Sequence, residues 1–347
     1  MNRTKNCFFI RRPIITGLVI ACTWIGTSLT TSLAVAADAI CYNCPPEWAD
    51  WASMNEAIAT ELGIEMPLDN KNSGQTLAQL IAEKANPVAD IAYYGVTTGI
   101  KAANEGVVTA YKPPGFDDIQ VGLKDPDGRW LTTHQGTLGF FVNTEALGGA
   151  PVPSCFADLL KPEYKGMVGY LDPSSAFVGY AGAVAVNRAM GGDLSNFDPA
   201  IKYFAQLQEN DPIVPKQTAY ARVVSGEIPI LFDYDFNAYR AKYDEDGSFE
   251  FVLPCEGTVV VPYVQSLVAN GPNPENGKKI LDFILSDEGQ SIWTNAYLRP
   301  ARNVTLPEEV AAKFLPDSEY ERATPVDYSI MEQAQAAFGE RYLNEVR

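Results

Sequence analysis

Short apolar stretches alternate with longer amphipathic ones along most of the chain, and polar residues cluster where the two meet. Residues 94–95, 172–175 and 233–235 each follow an apolar stretch and precede one with helical spacing. Such an alternation of strands and helices is typical of α/β layers. Ligands of open α/β sheets lie beyond the carboxyl ends of the strands, so we expect these three junctions to converge on one site.

The first 36 residues have the layout of a secretory signal peptide. Four Arg and Lys residues within the first 12 precede an apolar run, and Ala34 and Ala36 form an A-x-A cleavage site. We therefore expect cleavage after Ala36 and a periplasmic protein. An alternative is a lipoprotein signal over residues 19–22, in which Cys22 carries the lipid.

The net charge and the length of the chain limit the classes of protein to which it can belong. The net charge of −17 becomes −21 once the four positive charges of the signal peptide are removed. A surface this acidic has no basic stripe to neutralise phosphates, so we expect no nucleic-acid partner. The remaining chain of about 310 residues exceeds what one core usually organises, which predicts two lobes.

Cysteine usage fits an exported protein. Four cysteines follow the signal peptide: Cys41, Cys44, Cys155 and Cys255. An even number in an oxidising compartment predicts disulfides, and the three possible pairings remain open. A zinc site is disfavoured because the chain has one histidine and no second C-x-x-C pair. We expect neither a metal nor a cofactor.

Several segments together resemble a known family. They are "PNPENGKKILDFILSDEGQSIW" followed by "RPAR", then "SGEIPILFDYD", "THQGTLGFFVNTE" and "FADLLKPEYKGMVGYLDPSS". In these segments, and over most of residues 40–301, the chain resembles the extracellular solute-binding proteins of ABC importers. The resemblance is to type II periplasmic binding proteins, in the branch that binds ferric iron, thiamine, phosphonates and sugar phosphates.

The resemblance implies an α/β fold of two lobes, each a mixed sheet flanked by helices. Two strands would cross between the lobes near residues 139–140 and 261–262. One lobe would then comprise residues 37–139 and 262–347, and the other residues 140–261. A solute would be trapped between them by hinge closure, and the closed form would be recognised by a membrane permease and its ATPase. We expect a monomer.

Candidate anion contacts lie at predicted helix starts. Ser174 and Ser175 begin one helix, and Ser73 begins another, where free N–H groups and the helix dipole favour an anion. Simple N-capping is the alternative for Ser174 and Ser175. Lys216 and Gln217 lie at a position that the resemblance places in the cleft. Lys216 would complement an anion there, although a solvated lysine is the ordinary case.

Other candidate contacts lie on strands. Tyr94 and Gly95 end a strand, and a buried tyrosine with a bonded hydroxyl is the alternative for Tyr94. Thr133 and His134 lie in the segment that resembles a crossing strand. There, ligand contact and a structural hydrogen bond are both open for His134.

The segment "ILFDYDFNAYR" contributes Tyr234, Asp235 and Asn237 as candidate ligand contacts. Iron-binding members carry two adjacent tyrosines near this junction, and here Asp235 follows Tyr234, which argues against ferric iron. A carboxylate beside a phenol suits an ammonium group, and helix starts suit an anion. A zwitterion such as an aminoalkylphosphonate is therefore the first hypothesis. Structural roles remain open for Asp233 as a helix cap and for Asp235 as an exposed or paired acid.

The sequence thus predicts a binding protein without catalytic turnover. Sugar phosphates would use the same anion sites and are the second hypothesis after aminoalkylphosphonates. Ferric iron, thiamine and polyamines are further alternatives of the same fold. An exported hydrolase that uses Asp233 and Asp235 is the alternative of another class, although nothing like a nucleophile motif accompanies these acids.

Overall fold

The computed structural model describes residues 38–46, 49–67, 69–216 and 219–347, which contain ten strands and twelve α-helices. The strands are Cys41–Tyr42 (β1), Ile91–Gly95 (β2), Val108–Thr109 (β3), Leu131–Asn143 (β4), Val168–Gly169 (β5), Ile230–Tyr234 (β6), Phe249–Val252 (β7), Thr258–Val268 (β8), Arg299–Pro300 (β9) and Ala323–Thr324 (β10). The helices are Trp51–Leu62 (α1), Ser73–Ala82 (α2), Val96–Asn104 (α3), Phe177–Ala189 (α4), Asp198–Leu207 (α5), Tyr220–Val224 (α6), Asp235–Asp244 (α7), Pro274–Ile284 (α8), Asp287–Ile292 (α9), Glu308–Ala311 (α10), Asp317–Tyr320 (α11) and Tyr328–Glu345 (α12).

The strands form one continuous mixed sheet. Its main order is β1-β2-β8-β4-β6-β5, with β3 and β10 also paired to β8, and β7 and β9 also paired to β4. The pairs β1 with β2 and β5 with β6 are parallel, whereas β4 and β8 run antiparallel to each other. This mixed sheet with flanking helices confirms the predicted α/β class.

The two longest strands, β4 and β8, lie next to each other in the middle of the sheet order. The first part of β4, up to Thr137, pairs with β8, and from Leu138 onward it pairs with β6. In β8, Val261 and Pro262 pair with Gly136 and Gln135 of β4. The change of partner lies beside the crossing points expected near residues 139–140 and 261–262. The lobe boundaries themselves remain a prediction.

Local signals in the sequence explain where the first helices begin and end. Helix α1 ends at Gly63, whose φ of 64° is left-handed and therefore favours glycine. Helix α2 begins with a capping box in which the Asn72 side chain accepts from the Gln75 N–H and the Gln75 side chain accepts from the Asn72 N–H. These contacts confirm that a helix starts at residues 72–73.

Gln290, from the "SDEGQ" element, ties three parts of the fold together. Its side chain is fully buried, and its Nε2 donates to the carbonyls of Thr133 and Ile284, 2.9 and 2.8 Å away. Its Oε1 accepts a hydrogen bond from the Ala301 N–H at 2.7 Å. Gln290 therefore fixes β4 to the end of α8 and to the residue after β9.

The cysteines form two disulfides, one between Cys41 and Cys44 and the other between Cys155 and Cys255. The first is local and fully buried, whereas the second joins residues 100 positions apart. This is one of the three possible pairings of the four cysteines, among which the sequence does not choose. Glu256 supports the second bridge, because its carboxylate accepts from the N–H groups of Phe156 and Ala157 next to Cys155.

Within the described ranges, no helix combines the length and the apolar character that crossing a bilayer requires. The signal peptide and Cys22 lie outside these ranges. The predictions made for them are unchanged.

Candidate functional site

The predicted junctions place several candidate residues at the ends of strands. Strand β2 ends at Gly95, the N-cap of α3, and strand β6 ends at Tyr234, the N-cap of α7. Both α3 and α4 pack against β8, one of the two long strands. Gly95 also pairs with Tyr263 on β8.

Ser73 supports the turn between β2 and α3. Its Oγ accepts a hydrogen bond from the Gly95 N–H at 3.2 Å. The N-terminus of its own helix, α2, is already capped by Asn72. The structure therefore brings Ser73 and Gly95 together, with Ser73 holding the turn that leads into α3.

Helix α3 begins without a cap. Gly95 supplies no side-chain hydrogen bond, and the first turn of α3 contains no acidic residue. Thr97 and Thr98, both partly exposed, lie in that turn. N–H groups of a first helical turn have no intrahelical acceptor, so this end attracts an anion. We did not single out Thr97 and Thr98 from the sequence, although two threonines just after a strand-ending glycine are a usable signal.

Helix α4 has a similar start. Its N-cap, Ala176, makes no side-chain hydrogen bond, and no acid lies in its first turn. Ser174 is committed locally, since its N–H and its Oγ both contact Asp172 Oδ1, at 2.9 and 2.6 Å. Ser175 is exposed, and only its backbone N–H is bonded, to the Asp172 carbonyl. Of the two predicted serines, Ser175 is the one whose hydroxyl faces solvent.

The start of helix α7 differs, because it carries its own acid. Asp235 is fully buried, and its Oδ1 accepts from the N–H groups of Thr137 and Phe236, each 2.9 Å away. Burial raises the pKa of Asp235 to about 6, an effect that the nearby Arg299 opposes. Of the structural alternatives for Asp235, an exposed acid is wrong, because the side chain is buried and contacts backbone N–H groups.

Asp233 and Asn237 form a pair beside Tyr234. The Asn237 Nδ2 donates to Asp233 Oδ2 at 3.0 Å, while Asp233 Oδ1 accepts from the Tyr234 N–H. Burial raises the pKa of Asp233 to about 6. Asn237 is partly exposed, whereas Asp233 and Tyr234 are buried. Asn237 is therefore the member of this group that solvent reaches.

His134 belongs to a buried aromatic cluster. Its Nε2 lies 2.7 Å from the Tyr93 hydroxyl, and its ring stacks on that of Tyr263. The rings of Trp51 and Trp293 pack on Tyr93 and His134 respectively. Burial lowers the pKa of His134 to about 3, so the imidazole is neutral at physiological pH.

The two adjacent tyrosines of β2 point to opposite faces of the sheet. Tyr93 joins the cluster around His134, whereas Tyr94 packs against Gly99 of α3 and its hydroxyl lies beside Ser266. Burial raises the pKa of Tyr94 above its ordinary value. Tyr94 rather than Tyr93 is the predicted ligand contact, and alternation along the strand does not say which side of the sheet each residue faces.

The remaining candidates fall elsewhere. Thr133 is buried, and its carbonyl is held by Gln290. Lys216 is exposed, and Gln217 lies outside the described residues.

Among the residues that the structure describes, the one set of Cys, His, Asp and Glu with metal-like spacing is Cys155, Cys255 and Glu256. Its two sulfurs are joined in a disulfide, so it offers no thiolate ligands.

Two sequence relatives are similar over most of the chain. An uncharacterized protein of Haemophilus influenzae is 29% identical over 309 residues, covering 84% of this chain and 86% of the relative. A proposed 2-aminoethylphosphonate-binding periplasmic protein of Salmonella typhi is 24% identical over 262 residues, covering 73% of this chain and 74% of the relative.

Solved structures show the same fold at low sequence identity. The periplasmic binding protein AfuA from Actinobacillus pleuropneumoniae, with fructose-6-phosphate bound, superposes with a TM-score of 0.73 at 23% identity, covering 89% of this chain and 98% of AfuA. Iron-bound HitA from Pseudomonas aeruginosa gives a TM-score of 0.72 at 18% identity, covering 87% of this chain and 98% of HitA. These neighbours confirm the predicted type II periplasmic binding protein fold.

A sequence model of bacterial extracellular solute-binding proteins matches residues 86–333, which include both long strands and the starts of α3, α4 and α7. The match covers well over half of the chain, and the relatives named above are consistent with it. The chain therefore belongs to the bacterial extracellular solute-binding protein family, whose members bind substrates for ABC transporters.

Proposed function

We propose that this protein is exported to the periplasm, cleaved after Ala36, captures a small solute and delivers it to an ABC permease and its ATPase without turnover. Membership in the solute-binding family supports capture, and the Salmonella typhi relative named as periplasmic supports the location. The acidic composition is compatible with an abundant soluble receptor.

Capture would proceed by closure of two lobes, residues 37–139 with 262–347 and residues 140–261. The change of partner along β4, at residues 137–138, supports a hinge in the two long strands. A hinge of this kind moves α3 relative to α4 and α7, because the helices follow strands on opposite sides of the change.

The choice of solute rests on the two open helix N-termini, those of α3 and α4. Helices α3 and α4 have neither a side-chain cap nor an acidic first turn, and they pack on the same strand. Helix α2 is capped by Asn72, and α7 carries Asp235, so neither has comparable capacity left for an anion. A phosphonate or phosphate group supplies the acceptors that free N–H groups and the helix dipole favour.

The second lobe provides groups for a cation or a hydroxyl at the other end of the solute. Asn237 and Asp233 lie beside Tyr234, whose ring meets that of Tyr263 edge to face. Carboxylate and phenol groups together suit an ammonium group. We therefore place 2-aminoethylphosphonate first among the solutes and sugar phosphates second.

Calorimetric and thermal-shift titration of protein purified from the periplasm tests this choice. We expect 2-aminoethylphosphonate to raise Tm, corresponding to about 2.7 kcal/mol of stabilisation at 100 times its Kd. Ethylphosphonate, which lacks the amine, and ethanolamine, which lacks the phosphonate, are the matched comparators, and both should bind more weakly. Inorganic phosphate and glucose 6-phosphate test the anion site alone and the sugar phosphate alternative.

Other outcomes would replace the proposal. Stabilisation by spermidine or thiamine without any effect of the phosphonate would assign a cationic solute. A coloured complex with ferric citrate would assign iron, and release of a product from any added compound would reveal an enzyme. Mass determination of the periplasmic form tests cleavage after Ala36 against lipidation at Cys22.

A further inference from the structure

The C-terminal helix α12 is anchored on the helices that follow β4. The Tyr180 hydroxyl of α4 donates to the Met331 carbonyl at 2.7 Å, and Arg341 pairs with Asp198 at the start of α5, 2.9 Å away. The hydroxyl groups of Tyr342 and Tyr170 lie 3.0 Å apart in the interior. All three partners belong to the proposed lobe formed by residues 140–261, although the chain position of α12 would assign it to the lobe formed by residues 37–139 and 262–347.

The same helix also reaches the lobe that contains residues 37–139. Helix α12 packs against α3, and Glu332 Oε1 lies 2.9 Å from Lys101 Nζ on that helix. The Lys101 side chain is 47% exposed and that of Glu332 is 23% exposed, so the ion pair lies at the edge of the contact. One helix thus contacts two elements that hinge motion would separate.

Those two elements are the ones that carry the open N-termini. On the α4 side, Gly339 faces the turn before the helix so closely that a Cβ atom on Gly339 would lie 3.3 Å from Ser174 Cα. On the α3 side, Lys101 is in the last turn of the helix that begins after Gly95. Helix α12 therefore contacts the turn before α4 and the last turn of α3, the two helices that carry the open N-termini.

We propose that α12 is a latch, in which the Lys101–Glu332 pair forms in the closed protein and sets the spacing between α3 and α4. The latch rests on the proposed two-lobe function. When the cleft opens, α12 stays with α4 and α5 through its three anchors, and Glu332 leaves Lys101. The pair therefore stabilises the closed form and slows release of the solute, which makes Lys101 and Glu332 positioning residues that do not touch the ligand.

Charge-neutral variants of the pair test the latch with 2-aminoethylphosphonate as the probe. Partly exposed ion pairs are weak, so Glu332→Gln and Lys101→Gln should each raise Kd about two- to five-fold, mainly through faster dissociation. The double variant should be no worse than either single one. The charge reversal Lys101→Glu with Glu332→Lys should restore most of the affinity.

Glu340→Gln is the matched control. It makes the same substitution on the same helix at an exposed position and leaves the three anchors intact. It should leave Kd and the dissociation rate unchanged. A Glu340→Gln effect equal to that of Glu332→Gln would overturn the latch, because the charge of α12 would then act without the Lys101 contact.

A second readout does not depend on the solute. Non-cysteine spin labels at the exposed positions Val88 and Val152, one on each proposed lobe, report the distance between lobes. Without ligand, Lys101→Glu should enlarge the long-distance population relative to wild type, and an unchanged distribution would contradict the latch. If 2-aminoethylphosphonate fails to bind while Lys101→Glu still shifts the distances, the choice of solute is wrong and the latch stands.

Discussion

The carboxylate of Asp235, at the first position of α7, accepts a hydrogen bond from the backbone N–H of Thr137 on β4, 2.9 Å away. An acid that follows a strand is thereby turned into the protein, where water does not solvate its charge. The contact joins α7 to the part of β4 at which the strand changes partners.

Asp235→Asn should stabilise the protein at pH 8. The folded pKa of about 6 exceeds the ordinary value near 3.9, so the native state binds the proton more tightly and stability falls as pH rises from about 4 through 6. Asparagine keeps an acceptor for Thr137 without the buried charge. We expect a gain of about 1–3 kcal/mol in the free energy of unfolding at pH 8 and none at pH 4.

Urea unfolding at the two pH values measures the effect. Asp287→Asn removes an acid whose side chain is 82% exposed and is the control, with a small change of the opposite sign because Arg302 loses its partner. A loss of stability at pH 8 in Asp235→Asn would show that the charged carboxylate is the favoured form in the fold.

The single histidine should not titrate in the physiological range. Burial lowers the pKa of His134 to about 3, while the unfolded chain takes up its proton near pH 6.5. His134 therefore contributes stability above pH 6.5, and this contribution is lost as pH falls. Proton NMR of the untagged protein should show one imidazole Cε1 proton resonance that stays constant from pH 8 to 5. A midpoint near pH 6 would contradict burial of the ring.

Ser175→Asp should compete with an anionic solute. The new carboxylate would sit at the open start of α4, so we expect Kd for 2-aminoethylphosphonate to rise at least about ten-fold and the ligand-free protein to gain about 0.3–1 kcal/mol. Ser329→Asp adds the same charge at the start of α12, where Asp327 already caps the helix, and should leave affinity unchanged. Equal losses in both variants would indicate a general effect of charge rather than a site at α4.

Gln290→Ala should destabilise the fold strongly. It leaves two buried carbonyls and one buried N–H without their partner, which corresponds to a loss of about 3–5 kcal/mol in the free energy of unfolding. Gln208→Ala, which removes one hydrogen bond to the Tyr170 hydroxyl, should cost about 1 kcal/mol. Urea denaturation compares the two, and similar small losses would mean that water replaces the Gln290 amide.

Local chemistry was enough to predict where several helices and strands of this fold begin and end. The Asn72 cap, the Gly63 helix end and the strand before Gly95 depend on a few neighbouring residues, so periodicity and capping rules read them from the sequence. The α/β class followed from the order of these elements, whereas the family came from the resemblance of particular segments to solute-binding proteins, which the family match confirmed.

Orientation and long-range partners were decided by the tertiary structure. Periodicity says that Tyr93 and Tyr94 face opposite ways, but only the packing of α1 and α3 on the sheet decides that Tyr93 meets His134. Asp235 turns inward because Thr137, 98 residues away, presents an N–H. Cys155 forms a disulfide with Cys255, and α12 contacts both α3 and α4, for the same physical reason. These contacts depend on which distant segments of the chain pack against each other, and the spacing of residues along the chain does not specify that packing.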